Sequence, residues 1–195
     1  MNWRFTLLSC AAALCVSVTA GATGAQAATS HVLVPPPPSG WSDYGPVTLS
    51  VEASHKCLDA DTNGGGVNGN KVQIWDCNDL NQQWWWVYKS NATGGYAFVN
   101  VKYSKCLDQD TNTYARNGGR VQLWDCNFHS QQQWIFDPRP ASFPATTGWY
   151  LLRMQGANSY CVDADSTQGY ANGTRVQVWS CTNNTNQKWH SWPAG

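Results

Sequence analysis

The sequence predicts an all-β fold made of three copies of one unit around a shared core. Three observations predict it. A Cys-[Leu/Val]-Asp element followed by Val-Gln-[Ile/Leu/Val]-Trp-x-Cys occurs three times. Apolar and polar residues alternate within these segments, the period of a half-buried strand. Beyond the N-terminal apolar segment, no stretch shows the period of an amphipathic helix.

The copies agree in detail. The first runs Cys57-Leu58-Asp59, Val72-Gln73-Ile74-Trp75-Asp76-Cys77, then Asn81-Gln82-Gln83-Trp84. The second runs Cys106-Leu107-Asp108, Val121-Gln122-Leu123-Trp124-Asp125-Cys126, then Gln131-Gln132-Gln133-Trp134. The third runs Cys161-Val162-Asp163, Val176-Gln177-Val178-Trp179-Ser180-Cys181, then Asn186-Gln187-Lys188-Trp189. Counted from the first Cys, the intervals to Asp, Gln, Trp and the second Cys are identical in all three copies. A unit this short, with several small strands, cannot bury its own apolar face, whereas three closing on one another can. The Pro-rich stretch from Asp137 to Thr147 lengthens the second spacing and reads as a surface loop.

Strand alternation assigns faces. Leu58, Val72 and Ile74 point to the core; Asp59, Gln73 and Trp75 look outward together. The same holds for Asp108, Gln122 and Trp124, and for Asp163, Gln177 and Trp179. Trp84, Trp134 and Trp189 are assigned to the core, and one of Trp85 and Trp86 to solvent or a neighbouring loop.

Composition narrows the function. Lys+Arg and Asp+Glu balance at 12 each, so no basic stripe recommends nucleic acid or an anionic membrane as partner. Arg4, the apolar run from Phe5 to Ala20 and Ala25-Gln26-Ala27 form a signal peptide over residues 1–27, with cleavage after Ala27. A lipid anchor at Cys10 is the rival reading, disfavoured by the short apolar run before it. No other segment is long and apolar enough for a membrane span. Residues 28–44, with Pro35-Pro36-Pro37-Pro38, read as a semi-rigid linker. The repeats occupy 45–192, with lobes at roughly 45–90, 91–140 and 141–192. Six cysteines remain after cleavage, an even number in an oxidising compartment.

These residues resemble the ricin B-type lectin family, including modules appended to many bacterial xylan-degrading enzymes. The resemblance covers roughly Val47 to Trp192 and rests on the three Asp, the three Cys pairs and the three Q-x-W closings in phase. It implies a β-trefoil of three pseudo-symmetric lobes, each of four short strands. It also implies shallow pockets, up to one per lobe, for galactose-, xylose- or arabinose-type sugars.

Within-copy pairing gives every lobe the same disulfide and selects Cys57–Cys77, Cys106–Cys126 and Cys161–Cys181 from the fifteen possibilities. Each would close a loop worth on the order of 3 kcal/mol in the chain-entropy picture. Zinc is disfavoured, because the cysteines lack C-x₂₋₄-C spacing.

A neutral sugar presents vicinal hydroxyls and an apolar C–H face. Its site needs a carboxylate that accepts two O–H bonds, an amide and a flat ring. In the first lobe Asp59 would take the hydroxyls and Trp75 would stack. Asn81 would complete the bonds, while Gln73 and Gln82 hold Asp59 or touch the sugar. The third lobe offers Asp163, Gln177, Trp179, Asn186 and Gln187. The second has Asp108, Gln122, Trp124 and Gln132, but Gln131 in place of Asn81 and Asn186, and is expected to be weaker or altered. The loops of the second and third lobes carry Tyr114 and Tyr170. The first has Gly64-Gly65-Gly66, which suggests a more open wall.

Blander readings exist. Asp59, followed by Ala60-Asp61-Thr62-Asn63-Gly64, could organise a turn, and the tryptophans ending the Val-Gln segments could be core. His31, His55, His129 and His190 occupy unmatched positions and suggest no metal. Three equivalent Asp related by pseudo-threefold symmetry lie too far apart for a glycosidase pair. No phosphate loop, nucleophile elbow or zinc-protease motif occurs. Asn91, Asn172 and Asn183 begin glycosylation sequons. The expected function is a secreted, non-catalytic sugar-binding protein without cofactor. Its partners are glycans of the galactoside, xylan or arabinan class, alongside a separate glycan-active enzyme. A trefoil scaffold for protein binding or inhibition, with vestigial sites, is the alternative.

Overall fold

The computed structural model describes Val34 and residues 36–195. The expected signal peptide and most of the expected linker lie outside the described residues. Twelve strands follow in order: β1 (Trp41–Val51), β2 (Cys57–Ala60), β3 (Asn70–Trp75), β4 (Trp84–Ser90), β5 (Tyr96–Asn100), β6 (Lys105–Gln109), β7 (Gly119–Trp124), β8 (Trp134–Asp137), β9 (Tyr150–Met154), β10 (Ala157–Ala164), β11 (Thr174–Ser180) and β12 (Lys188–Pro193). Each lobe contributes four consecutive strands. Short 3₁₀ turns are the only helical elements among the described residues.

Pairing defines a β-trefoil. Strands β1, β4, β5, β8, β9 and β12 pair in a closed ring, every pair antiparallel, so the six-stranded barrel has no free edge. The hairpins β2–β3, β6–β7 and β10–β11 form the cap. Their second strands pair with one another in a triangle, β3 with β7, β7 with β11 and β11 with β3. The disulfides Cys57–Cys77, Cys106–Cys126 and Cys161–Cys181 clip each hairpin near its base.

Alternation places the side chains as expected. Leu58, Val72 and Ile74 are fully buried with their counterparts in the other lobes. The core tryptophan of the first lobe is Trp85, however, and Trp84 is only half-buried. Trp85 follows Cys57 at the same interval as Trp134 follows Cys106 and Trp189 follows Cys161. Each donates its indole N–H to a backbone carbonyl at 3.0–3.2 Å, of Leu58, Leu107 and Val162 respectively. The ring body fills the barrel while the one polar atom stays satisfied.

Two stretches are more structural than expected. β1 begins at Trp41, inside the stretch read as linker; Trp41 pairs with Ser90, and Tyr44 packs on Tyr96 and Phe143. The Pro-rich loop after β8 is not wholly superficial. Phe143 stacks on Tyr96 at 5.2 Å and contacts Phe136, and Ala145 is buried with its N–H on Ser191 Oγ.

The lobes clasp one another in a cycle. Asn68, Asn117 and Asn172 hold equivalent places in their lobes, and each reaches the residue before the second Cys of another lobe. Asn68 exchanges two hydrogen bonds with Asp125, and Asn172 exchanges two with Asp76. Asn117 Oδ1 accepts from the N–H and hydroxyl of Ser180. Lys56 and Lys105 bind Asp76 and Asp125 from within their own lobes and, with the asparagine amides, hold both carboxyls below the usual range.

Candidate functional site

Each site begins with one carboxylate fixed between two amides. In the β2–β3 hairpin Asp59 stands opposite Gln73, so Gln73 Nε2 reaches Asp59 Oδ1 at 3.0 Å. Gln122 and Gln177 meet Asp108 and Asp163 at the same distance. The second amide comes from the 3₁₀ turn before the core tryptophan. Gln83, Gln132 and Gln187 bind the other carboxylate oxygen at 2.9–3.0 Å. Their remaining hydrogens go to the carbonyls of Asp76, Asp125 and Ser180, and their oxygens accept from the N–H of Asn78, Asn127 and Thr182. The glutamine of Q-x-W is thus fully engaged with protein groups. It ties the carboxylate to the loop beside it.

This geometry corrects the register in the first lobe. Gln83, not Gln82, holds Asp59. The interval from Cys57 to Gln83 equals those from Cys106 to Gln132 and from Cys161 to Gln187. Gln82 therefore corresponds to Gln131 and Asn186, while Asn81 corresponds to Ser130 and Thr185. Asn81 is not among the residues lining the first cleft. The second lobe does not depart alone: lobes one and two share a glutamine where lobe three has asparagine. Asn186 Nδ2 binds Asp163 Oδ2 at 2.8 Å, whereas Gln82 and Gln131 turn to Asn78 and Asn127 at 3.4 and 3.3 Å.

The candidate stacking rings end β3 and β7 and stand near the end of β11. Trp75, Trp124 and Trp179 are 39%, 40% and 38% exposed. The neighbouring lobe buttresses two of them: a Cβ on Gly173 would touch Trp75, and one on Gly118 would touch Trp179. These glycines have φ of 90° and 77°, a conformation glycine adopts at no steric cost.

Carboxylate and ring share one cleft. In the third lobe it measures about 430 Å³ and includes Asp163, Gln177, Trp179 and Asn186. In the first it measures about 200 Å³ and includes Asp59, Gln73, Trp75 and Gln82. Sequence reasoning missed several lining groups. Asp61, Thr62, Asn63 and Asn78 line the first cleft; Asp165, Ser166, Thr167 and Thr182 line the third. Asp61, Asp110 and Asp165 cap the turn after each site carboxylate by accepting a backbone N–H from two positions on, so it is they that organise the turn. Their signal was a second Asp repeated in phase, just after each site carboxylate.

The first wall is not open. Tyr103, from the turn between β5 and β6, lies over Gly66 so closely that a Cβ there would collide with its ring. Asp59 and Asp61, after burial, help push the Tyr103 phenol above its usual range. The glycine-rich loop makes room for a tyrosine from the next lobe.

Burial raises Asp59, Asp108 and Asp163 above the usual carboxylate range, against the lowering effect of the amides that bind them. All three sit at 3–4% exposure with their hydrogen bonds directed to amides. A carboxylate offers about four acceptor positions. Two remain open on Asp59 and Asp108, and one on Asp163.

Comparison with known proteins agrees with this architecture. A ricin-type β-trefoil lectin domain profile matches residues 94–195, and a second, lectin domain-like profile matches 32–124. The chain belongs to the ricin-type β-trefoil lectin family. No curated protein matches it in sequence. This lectin domain superposes on a designed threefold-symmetric protein, ThreeFoil, with a TM-score of 0.64, 22% identity, and coverage of 76% of this chain and 98% of that one. The Macrolepiota procera ricin B-like lectin, solved with lactose, gives 0.62 at 12% identity, covering 78% and 97%. An exo-β-1,3-galactanase from Clostridium thermocellum gives 0.64 at 24% identity, covering 76% of this chain but 30% of the enzyme. The fold therefore occurs both alone and as one part of a glycan-active enzyme.

Proposed function

We propose that the chain is a secreted, non-catalytic lectin whose lobes each take one neutral sugar of the galactose, xylose or arabinose type. One observation carries the reading: in the first and third lobes a buried carboxylate with unfilled acceptor positions and an exposed tryptophan share one cleft. The carboxylate accepts vicinal hydroxyls and the ring receives the C–H face. Residues 1–27 serve export, and 28–40 space the domain from its surroundings. Each site alone is weak, because a monosaccharide has few atoms to contact. Several on one body gain by avidity along a polysaccharide. We assign the three carboxylates to binding rather than hydrolysis: each is held by amides within its own lobe, and the neighbouring Asp61, Asp110 and Asp165 are engaged in capping their turns.

The test is retention on immobilised galactan, xylan and arabinan columns. The unsubstituted chain should be retarded on at least one. The triple variant Asp59→Ala/Asp108→Ala/Asp163→Ala should pass through all three. Retention of the triple variant would refute the site assignment. Sugar release from any column would refute the non-catalytic reading.

A further inference from the structure

A second groove, of about 500 Å³, adjoins the first lobe's cleft. It lies between the loop after β3 and the last strand, with Thr48, Asn78, Asp79, Trp192 and Pro193 in its walls. Asn78 lines both this groove and the cleft of Asp59 and Trp75, so the two are separated by one side chain. Asn78 Oδ1 accepts from Leu80 N–H and from Gln82 Nε2, which holds this amide at the divide.

Comparison with the second lobe shows why the groove is open. Asp79 and Phe128 occupy the same place, each two positions beyond the second Cys of its lobe, with φ of 56° and 58°. Trp192 and Tyr88 also correspond, each three positions beyond the core tryptophan of its lobe. In the second lobe the Phe128 ring packs on Tyr88 and Trp41, at 6.3 and 5.2 Å. In the first, a carboxylate stands where that ring would be, and Trp192 stays partly exposed. Trp84, replaced by Gln133 and Lys188 in the other lobes, donates its indole N–H to Asp79 at 2.9 Å and lies beside the groove at Gly195.

We propose that the first lobe binds two or more consecutive residues of a neutral glycan, one over Trp75 and the next in the Asp79/Trp192 groove. This rests on the carbohydrate reading of the Asp59 cleft and deepens it. The groove repeats the chemistry of that cleft: a ring for a C–H face, a carboxylate for hydroxyls and an amide between them. Asp59 and Asp79 line the path, and Lys71 pairs with Asp61 rather than with either of them, so the path disfavours uronate and sulfate groups and suits an uncharged occupant.

The experiment uses the chain with Asp108→Ala and Asp163→Ala, which leaves the first lobe alone. Calorimetry compares xylose, xylobiose and xylotriose, and galactose with β-1,3-galactobiose. Affinity should climb about tenfold from mono- to oligosaccharide in one series, the scale of one added aromatic contact. Oligosaccharide binding with undetectable monosaccharide binding counts as such a climb. Asp79→Phe, which copies the plug of the second lobe onto a backbone already shown to hold Phe, should abolish the climb and leave monosaccharide affinity unchanged. Trp192→Ala should do the same, and Asp79→Phe decides should that variant not fold. Equal affinity along both series, or a climb that survives Asp79→Phe, would overturn the proposal. Failure to bind any of these sugars would overturn the xylose- and galactose-type readings of the first lobe as well.

Discussion

The first and third lobes solve the same problem with different amides. Asp163 accepts from three side-chain amides, Asp59 from two. The third cleft is about twice the volume of the first, and the glycine loop beside the first is covered by Tyr103 from another lobe. One methylene accounts for the amide difference. Asn186 is short enough to stop at the carboxylate, while Gln82 overreaches and settles on Asn78. Pseudo-symmetry thus fixes the carboxylate, its two glutamines and the exposed tryptophan. What varies is how many acceptor positions stay open and which lobe supplies the wall.

Four measurements bear on this comparison. The largest effect concerns its register. Trp85→Ala and Trp189→Ala should each lower unfolding free energy by about 3–5 kcal/mol in urea titrations with disulfides intact. Trp84→Ala should cost about 1 kcal/mol. Equal losses at Trp84 and Trp85 would break the correspondence of the lobes.

Next come the amides. Gln83→Ala strands a buried carboxylate and two loop groups, so it should cost about 2–3 kcal/mol. First-lobe sugar affinity should fall about tenfold or more with it. Gln82→Ala should change affinity by less than about threefold, read by titration with the other lobes silenced.

The third measurement is pH. The site carboxyls bind protons more tightly folded than unfolded, so sugar affinity should begin to fall on acidification above the ordinary Asp value of 3.8. Folding linkage runs the other way. The carboxyls' penalty is fully present above their raised pKa and fades as pH drops toward 3.8. Asn186→Gln removes one bond that lowers Asp163, so its carboxyl should titrate higher still by NMR, and its release of sugar should move with it. Unchanged titration would mean Asn186 contributes nothing to the difference between lobes.

The smallest effect is at the seam. Asn172→Ala removes the bonds to Asp76 and should lower the thermal midpoint by only a few degrees, since both groups are exposed. The same asparagine heads a sequon, and its Nδ2 is engaged, so a glycan there would have to open this clasp.

Much of this was legible in the sequence, and the failures are local. Repeated Cys, Asp, Gln and Trp intervals carried the trefoil, and alternation separated Val72 and Ile74 from Trp75 correctly. The first lobe went astray because Gln82-Gln83-Trp84-Trp85 contains two overlapping Q-x-W frames, and the neighbouring Asn81 imitated Asn186. The interval from the first cysteine resolves the ambiguity; the motif alone does not. Tyr103 in the first wall could not be read locally, because it arrives from another lobe and its only trace is the glycine it displaces. Phe143 hid in a Pro-rich stretch whose composition suggested surface. Groove-forming Asp79 and Trp192 belong to the first and the last lobe, and no repeat interval links them.

The barrel closes where β1 meets β12, with Val47 opposite Pro193. The closing pair therefore joins the first and the twelfth strand. Pairing strands this far apart in sequence makes for slow folding. Damage to β12 would accordingly be felt in the first lobe as well as in its own.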